Sequence, residues 1–572
     1  MPNTKVEKLE LSQRKILDDR LVIYIAGGLI GLFLILFMLV PVSNILRLSI
    51  TPYNPETHFF GKGLTLNNFI HYFSTPTIVQ SLYNSLNVSL WVTLITTILA
   101  FFFAYGLTRT TIPGKKILYF LAMAPLVAPS LLQAMALVSL FGRNGLITGL
   151  LHTEWNIYGA TGIIISEVLY SFPHAMIILY TTLSAVDSRL DEAASSLGAS
   201  DVKIFYKITV PTARYGIISA AALVFNLAIT DFGNPIIIGQ NYKVLATEIY
   251  LQVIGMQRFD MGATIAVVLL VPSVIAFLLN YYFTKRNTAL ISGHAKPTLT
   301  PSGAFKKRIF TSYCWVITLI LLSVILVIIC KSFISLWMYN WTPTLKHFNF
   351  RIPGGMGVLW TSLWISIIVA ITASFLTMVN GYIIEKKNPF FAQPLYLLSV
   401  IPAAIPGLVM GLSYILIFNT RFLHIGDLLY GKAALVIISV VICNFTLGTL
   451  SSITNMKNID KEMDESATSL GATVLTSFSK VVFPLNKVSF FGNLNYYFMR
   501  SMVTISAVIF LVSPDVHLAA ISVVNLEKDG KDGASSAMSF LIILVVMVSI
   551  FVLNLFSKKN REQTNQPGGE LS

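Results

Sequence analysis

The sequence predicts an all-α polytopic membrane protein with about twelve transmembrane helices, arranged as two parallel six-helix repeats. Three observations support this prediction. Of the 572 residues, 55% are hydrophobic and only 12% are charged, and the mean hydropathy is +0.73, which is too apolar for a soluble core. Apolar runs of roughly 20 residues, the length that crosses a bilayer, recur along the whole chain. In addition, one polar stretch occurs twice.

The first half is predicted to cover residues 21–284, after a basic N-terminal tail at residues 1–20. This tail is followed by an apolar run without a small-residue cleavage site, so the first helix is predicted to be retained. The predicted spans of this half lie near 21–46, 85–107, 117–141, 158–183, 214–238 and 262–284.

The second half is predicted to cover residues 309–556. It is separated from the first by a linker at 285–308 that is rich in basic residues, Pro and Gly, and it is followed by a polar tail at 557–572. Its predicted spans lie near 309–336, 359–384, 394–418, 433–455, 488–513 and 537–556.

The distribution of charge predicts the orientation. Most of the 40 Lys and Arg residues fall in segments that are cytoplasmic if the N-terminus is inside, which places both termini and the linker in the cytoplasm. The basic residues lie in short loops, so the net charge of +14 does not indicate a nucleic-acid partner. Six spans per half is an even number, so the halves run in parallel and a transport path is expected between them.

The repeated polar stretch covers residues 192–211 (EAASSLGASDVKIFYKITVP) and 465–484 (ESATSLGATVLTSFSKVVFP), and both copies are predicted to be cytoplasmic. Its marker residues are Glu192, Ala193, Ala194, Gly198 and Pro211 in the first copy, and Glu465, Ser466, Ala467, Gly471 and Pro484 in the second. The pattern predicts a short helix, a turn at the glycine and a second short helix that the proline ends. Small side chains on such a helix would suit docking into a cleft of a partner.

No motif indicates an enzyme. GDLLYGKA (426–433) has phosphate-loop spacing, but Ala433 stands where Ser or Thr should hold magnesium. The three cysteines form no metal-binding pattern and are interpreted as packing thiols, so neither a metal site nor a catalytic residue is predicted.

Charged residues inside predicted spans are costly and therefore candidate sites. The predicted substrate path contains Asp231, Asn234, Arg500, Thr504 and Ser506. Gly233 and Pro235 are expected to break the helix beside Asp231 and free backbone groups to line a cavity. The alternative for Arg500 is a structural role, either in a pair with Asp231 or with its side chain bonded to carbonyls near a helix end. For Glu167 and His174 a structural role is favoured.

The repeated stretch resembles the EAA loop of bacterial ABC importer permeases. Together with DFGNP (231–235) and TISAVIFLVSP (503–514 region) it makes nearly the whole chain resemble the fused type I permeases grouped around ferric ion, thiamine, 2-aminoethylphosphonate and sugar-phosphate uptake. Ser466 replaces the first alanine of the family pattern but keeps a small side chain.

The resemblance implies a set of partners and a location. The partners are two copies of a cytoplasmic ABC ATPase, an extracytoplasmic solute-binding protein and the lipid bilayer. ATP and magnesium are used by the ATPase, while this chain binds no cofactor directly. The location implied is the bacterial inner membrane.

The cargo is predicted less sharply than the class. DFGNP and Arg500 favour an organophosphate such as a phosphonate or sugar phosphate, because a guanidinium suits an anionic oxygen group. The alternative is ferric iron. An ion-coupled secondary transporter that uses Glu167 and Asp231 is the alternative from another class, and it would have no use for the two EAA stretches.

Overall fold

The fold was analysed on a computed structural model that describes residues 3–54, 59–152, 155–185, 189–290, 303–419 and 426–564. Part of the predicted linker, residues 291–302, and the end of the predicted tail, residues 565–572, lie outside the described residues. The predicted N-terminal tail is helical from Asn3 and continues into the first span.

The first half consists mainly of α-helices. They are α1 (Asn3–Leu34), α2 (Val40–Ser49), α3 (Asn67–Ser74), α4 (Pro76–Arg109), α5 (Lys115–Ala122), α6 (Leu131–Phe141), α7 (Leu146–Leu151), α8 (Ala160–Ala185), α9 (Arg189–Ser196), α10 (Asp201–Ile204), α11 (Val210–Thr230), α12 (Gly233–Ile238), α13 (Leu245–Tyr250) and α14 (Phe259–Leu290).

The second half repeats this organisation. Its helices are α15 (Ala304–Phe333), α16 (Gly357–Tyr382), α17 (Ala392–Val400), α18 (Gly407–Phe418), α19 (Gly426–Leu429), α20 (Ala433–Lys457), α21 (Lys461–Ser469), α22 (Val474–Ser477), α23 (Phe483–Leu485), α24 (Lys487–Val503), α25 (Ala519–Lys528) and α26 (Asp532–Thr564).

Shorter elements connect or interrupt these helices. The 3₁₀ segments are Ala124–Val127, Lys346–Phe348 and Ile401–Ala404, and the π-helical segments are Ile35–Leu39, Phe205–Thr209, Leu251–Gly255, Ile383–Lys387 and Phe478–Val482. Two antiparallel hairpins, β1 (Tyr53–Asn54) with β2 (Phe59–Phe60) and β3 (Ile334–Leu336) with β4 (Asn340–Pro343), lie in the connections after the first span of each half.

Among the described residues, ten helices are long and apolar enough to cross a membrane. An eleventh is counted if Ala392–Ala404 and Gly407–Phe418, which meet at 103°, form one bent span. The eleventh predicted span, 488–513, is a 17-residue helix, α24, that stops at Val503 and is followed by turns. The many-helix membrane fold is therefore confirmed, with fewer straight spans than the hydropathy pattern predicts.

Prolines explain the two interrupted spans. Pro125 and Pro402 stand at the starts of equivalent 3₁₀ segments, between α5 and α6 in one half and between α17 and α18 in the other. A proline lacks the N–H of a helical hydrogen bond and disfavours helical geometry in the residue before it. The sequence shows both prolines, but the size of the bend depends on the packing around them.

The two halves pack against each other crosswise. In α15, the hydroxyl of Tyr313 donates to the carbonyl of Leu99 in α4 at 2.8 Å. In α18, the hydroxyl of Tyr414 donates to the carbonyl of Phe37 at 2.6 Å, in the segment that joins α1 to α2. The first helix of each half thus contacts the opposite half, and buried apolar side chains from both halves form one continuous core.

Candidate functional site

The repeated stretches have the same backbone in both halves. Helices α9 and α21 end just before Gly198 and Gly471, whose φ angles are 78° and 83°. This left-handed conformation is one that glycine adopts without strain. We call residues 192–211 the first loop and residues 465–484 the second loop.

Matching caps begin the second short helix of each loop. The hydroxyl of Ser200 accepts from the amide of Lys203 at 3.4 Å, and the hydroxyl of Thr473 accepts from the amide of Thr476 at 3.3 Å. Such caps satisfy amides that have no partner within the helix. The helix, glycine turn and second helix predicted from the sequence are therefore present in both loops.

The predicted role of the loop prolines is wrong. Pro211 and Pro484 do not end a helix but lie in the first turn of α11 and α23. Each follows a π-helical segment, Phe205–Thr209 or Phe478–Val482, in which the helix is locally wider. The missing proline N–H is tolerated there, because the first turn of a helix has no acceptor for it. The chain therefore runs helically from the first loop into the membrane.

Each loop exposes large apolar side chains at equivalent positions. Leu197 is 88% exposed and Leu470, its counterpart, is 90% exposed, while Val202 and Leu475 form a second exposed pair. The marker residues Glu192 and Ala194 are half-buried, and Glu465 is exposed. Leu197 and Leu470 are not among the predicted marker residues, although both occur in the shared S-L-G-A motif of an otherwise polar stretch. Exposed apolar patches that repeat in this way indicate a docking surface.

An ion pair anchors the start of each loop to the end of the second long helix of its own half, α4 or α16 with the π-helical segment that continues it. In the first half, Arg109 Nη1 lies 3.2 Å from Asp191 Oδ2. In the second half, Lys387 Nζ lies 2.7 Å from Asp464 Oδ2, and the hydroxyl of Ser477 donates to Asp464 Oδ1 at 2.6 Å. The loops are therefore rigidly connected to the membrane helices behind them.

The two aspartates differ electrostatically. Burial alone would raise the pKa of Asp464, but hydrogen bonds from Lys387 and Ser477 outweigh it and hold that pKa below its ordinary value. For Asp191, burial raises the pKa, and the charge of Arg109 offsets this only in part. The surroundings thus favour the charged form of Asp464 more than that of Asp191.

Each loop is also held by the first helix of the opposite half. Lys306 Nζ in α15 lies 3.2 Å from Asp201 Oδ2, at the start of α10. At the equivalent place in the second loop, the amide of Val474 donates to Asp19 Oδ1 in α1 at 2.9 Å. Both contacts cross between the halves, so a movement of one half is transmitted to the loop of the other half.

Asp231 lies where the predicted helix break occurs, between α11 and α12. Its Oδ2 accepts from the amide of Asn234 at 2.8 Å, which satisfies a backbone donor freed by the break. The side chain of Asn234 is fully buried: its Nδ2 donates to Glu167 Oε1 at 3.2 Å, and its Oδ1 accepts from the amide of Ala134 at 3.1 Å. Asn234 therefore joins α6, α8 and α12.

Arg500 lies near the end of α24 and belongs to the other half. Its Nε donates to Asn444 Oδ1 at 3.3 Å, and its carbonyl accepts from the Thr504 hydroxyl at 2.6 Å. In the part of the chain that the structure describes, it forms no ion pair with Asp231, so the predicted structural pair is not formed in this conformation. Ser506 is half-buried in the turns after α24.

Four of the five predicted path residues thus form two groups. Asp231 and Asn234 belong to one group with Glu167, and Arg500 and Thr504 belong to the other with Asn444. Asn444 was not singled out from the sequence, because a lone asparagine in an apolar run carries no motif. The charge of Arg500 also acts on Tyr170 of α8, which places the groups near each other across the halves.

Aromatic rings connect the halves on the side of the membrane opposite the loops. The ring centroids of Phe232 and Tyr250 are 5.2 Å apart, and those of Tyr250 and Phe510 are 6.2 Å apart. Phe232 and Phe510 are buried. Since Phe232 follows Asp231 directly, this aromatic contact lies next to Asp231.

On the loop side, a cavity of about 810 Å³ lies between α20 and α24. It extends from Tyr496, whose hydroxyl donates to Asn444 Oδ1 at 3.2 Å, to Asp460 and Met463 beside the second loop. The cavity wall is therefore connected to Arg500 through Asn444, although none of the five predicted path residues is among the described lining residues.

Comparison with known proteins gives one family match that covers most of the chain. The pattern described as "Binding-protein-dependent transport system inner membrane component" matches twice, at residues 96–289 and 377–562. Each match contains one loop and one group of path residues, so the internal repeat inferred from the sequence is confirmed.

Individual relatives match across both halves. The ferric transport system permease protein FbpB of Actinobacillus pleuropneumoniae is 28% identical over 523 residues, which are 89% of this chain and 74% of the relative. The putative ferric transport system permease protein FbpB 1 of Haemophilus influenzae is 30% identical over 454 residues, 77% of this chain and 71% of the relative. The thiamine transport system permease protein ThiP of Salmonella typhimurium is 24% identical over 362 residues, 59% of this chain and 64% of the relative.

Proposed function

Because this chain belongs to the family of binding-protein-dependent transport system inner membrane components, we propose that it is the permease of a ferric-ion importer, driven by separate ATPase subunits that dock on its two loops. It is a multi-pass membrane permease of the ABC importer type. We propose the cargo, the number of ATPase copies and the cytoplasmic position of both termini.

The ferric cargo is supported by two ferric transport permeases that match over 89% and 77% of this chain. DFGNP and Arg500 alone favour an organophosphate, whereas the ferric transport relatives favour the alternative, ferric iron. The side chain of Arg500 also donates to Asn444 through its Nε, so its presence does not require an anionic cargo. A transporter for thiamine is the second candidate, supported by a relative that matches over 59% of this chain.

ATPase docking is supported by one observation above all, the paired exposure of Leu197 and Leu470 at equivalent places in two loops on the same face of the protein. Two equivalent patches suit two copies of one partner. The ion pairs of Asp191 and Asp464 connect each patch to a long membrane helix, so a partner that draws the loops together would also move the halves.

The mechanism we derive is alternating access between the halves. In the described state, Tyr250 contacts Phe510 across the halves on the outer side, beside Asp231, while the cavity beside Tyr496 is open on the loop side. ATP binding to the partner would close the loop side and separate the aromatic rings. A solute-binding protein docked outside would then release its cargo between the halves.

The test is uptake of radiolabelled ferric ion into proteoliposomes that contain the chain, its ATPase and its binding protein. We expect uptake that requires ATP and persists when the proton gradient is collapsed. Uptake that needs the gradient and no ATP would instead establish the secondary transporter. Uptake of thiamine but not of iron would retain the class and overturn the cargo.

Docking is tested by Leu197→Asp combined with Leu470→Asp. We expect loss of ATPase co-purification with normal membrane insertion, because both side chains are almost fully exposed and replacing them costs little stability. Leu64→Asp is the control, since Leu64 is also highly exposed but is separated from the first loop by three spans. Normal ATPase binding in the double variant would overturn the docking proposal.

A further inference from the structure

We propose that the cavity between α20 and α24 is a transit site for a hard metal cation that keeps part of its water shell. This inference rests on the proposed function, because it assigns a place on the exit side of the path to the imported cation. The second half supplies every residue of the site, so the two halves have different roles in transport.

The cavity has a mixed lining. Eight of its fourteen described lining residues have polar side chains, among them Asn455, Asp460, Asn486, Asn493 and Tyr496, while apolar side chains contribute the larger share of the exposed surface. Among these described lining residues, Asp460 is the single charged one, and no Lys or Arg is present. A volume of about 810 Å³ holds a hydrated ion with room to spare.

Three asparagines of the lining use their donors inside the protein. Asn455 Nδ2 donates to the Ser451 carbonyl and the Ser489 hydroxyl, both at 2.7 Å. Asn486 Nδ2 donates to the Val482 carbonyl at 3.0 Å. These acceptors fix the orientation of each side-chain amide. The carbonyl oxygen of each amide therefore points away from the acceptors.

The third asparagine follows the same pattern. Asn493 Nδ2 donates to the Ser452 hydroxyl at 3.1 Å and to the Gly448 carbonyl at 3.4 Å. No described donor reaches the side-chain oxygen of any of the three asparagines, and none of these oxygens is sealed from solvent. Three amide oxygens are therefore available to the cavity, together with the carboxylate of Asp460.

The set of free acceptors selects for a cation. Amide, carboxylate and water oxygens are the ligands that hard cations prefer. An anion would need N–H donors, and the amide donors of these asparagines are already engaged. The described residues contain no group of three or more His, Cys, Asp or Glu that could hold a metal. Binding at this cavity would consequently be weak, which suits a site that must release its ion.

The first half has no equivalent acceptor set. The second half follows the first at an offset of 273 positions, as from Glu192 to Glu465. At this offset, the counterparts of Asn455, Asn486 and Asn493 are Thr182, Ala213 and Ala220. Ala213 and Ala220 are fully buried. Helices α8 and α11 also pack closely, since a Cβ on Gly216 would lie only 2.2 Å from Thr182 Oγ1. The one-sided position of the cavity thus follows from asparagines that occur in the second half alone.

The experiment measures terbium binding to the complete transporter in lipid nanodiscs. Tb³⁺ is a hard trivalent ion whose luminescence is sensitised by a nearby tyrosine, and Tyr496 lies in the cavity wall. We expect saturable luminescence that Fe³⁺ displaces. Asp460→Asn and Asn455→Leu should each weaken Tb³⁺ binding about tenfold, which corresponds to 1.4 kcal/mol.

The matched control is Glu462→Gln. Glu462 is exposed and two residues from Asp460, yet it does not line the cavity, so its loss should change Tb³⁺ affinity less than twofold. Asp460 is also exposed, so Asp460→Asn should fold normally even if Asn455→Leu does not. An unchanged affinity in Asp460→Asn, or an equal loss in Glu462→Gln, would overturn the inference.

The inference and the proposed function fail in different ways. If the reconstituted transporter takes up ferric ion while Asp460→Asn has wild-type Tb³⁺ affinity and uptake, only the transit site is overturned. If Asp460→Asn weakens Tb³⁺ binding but the transporter moves no iron, the cavity binds cations and the ferric cargo is overturned.

Discussion

Lys387 Nζ lies 2.7 Å from Asp464 Oδ2, and this ion pair joins the end of the long second helix of its half to the start of the second loop. Tyr382 also donates to Asp464 Oδ1, at 3.2 Å. The carboxylate is therefore held by partners from both sides of the junction through which a movement of the loop would reach the membrane.

We predict that Asp464→Asn lowers the free energy of unfolding by about 2 kcal/mol at pH 7, because hydrogen bonds to charged groups are worth about 1.5–3 kcal/mol. Since the pKa of Asp464 is lowered in the folded protein, its contribution is present above the unfolded pKa of about 3.9 and is lost as the pH falls through the lowered value. The difference in melting temperature from the wild type should thus shrink near pH 3. Thermal unfolding at both pH values measures it.

Glu462→Gln is the control for this prediction, because Glu462 is an exposed acid in the same helix. It should leave the melting temperature unchanged at pH 7. An Asp464→Asn protein with wild-type stability at pH 7 would show that the ion pair contributes nothing.

Replacing the loop glycine should strain the backbone. Gly198 has a φ of 78°, and a Cβ there would meet no atom within 4 Å, so Gly198→Ala tests conformation and not space. We expect a local cost of about 1–2 kcal/mol and reduced stimulation of the ATPase. Gly28→Ala is the matched control, because Gly28 also has open space but lies within α1. That change should stabilise the protein slightly, and equal losses in both variants would contradict the argument.

The contact of Asp19 with the second loop makes a prediction for hydrogen exchange. Asp19→Ala removes the acceptor of the Val474 amide, a contact comparable to a helix cap worth about 1 kcal/mol, so this amide should exchange about fivefold faster. Mass spectrometry of peptides from both loops measures the effect. The first loop should be unchanged.

Lys306→Ala is the reciprocal variant, since Lys306 contacts Asp201 of the first loop. It should affect exchange in the first loop and not in the second. Faster exchange in both loops after either change would indicate general loosening and not crosswise contacts.

The outer aromatic contact predicts a change in accessibility. Phe510→Ala removes the ring that contacts Tyr250 across the halves, so the path residues should become more open to the outer side. A cysteine at position 506, introduced by Ser506→Cys after removal of the three native cysteines, reports this through an impermeant thiol reagent. We expect labelling from outside to rise several-fold, which is about 1 kcal/mol of population shift.

Phe305→Ala serves as its control, because Phe305 is highly exposed at the start of α15, near the loop side. Labelling at position 506 should be unaffected by it. Unchanged labelling in Phe510→Ala would show that other contacts close the outer side.

The sequence predicted features that a local pattern determines. The glycine turns at Gly198 and Gly471 follow from backbone geometry, and the helix break at Asp231 follows from the glycine and proline beside it. The two halves and their loops could be predicted because the same pattern occurs at one offset.

Features that depend on packing between distant segments could not be predicted. Arg500 donates to Asn444, 56 positions away, and no motif marks Asn444. The end of α24 at Val503 and the bend near Pro402 depend on neighbouring helices. The prediction that Pro211 ends a helix is wrong. A widened helical turn before the proline allows the helix to continue past it.

The crosswise contacts of the first helices have a consequence for biosynthesis. The first loop leaves the ribosome before Lys306 has been made, so its contact with α15 forms only after the second half has begun to emerge. The second loop, in contrast, meets an α1 that is already in the membrane. The two loops therefore acquire their contacts at different times. The first loop lacks its contact with α15 until the second half has begun to be made. Covalent fusion of the two halves shortens this interval, because α15, which supplies the contact, is made as part of the same chain.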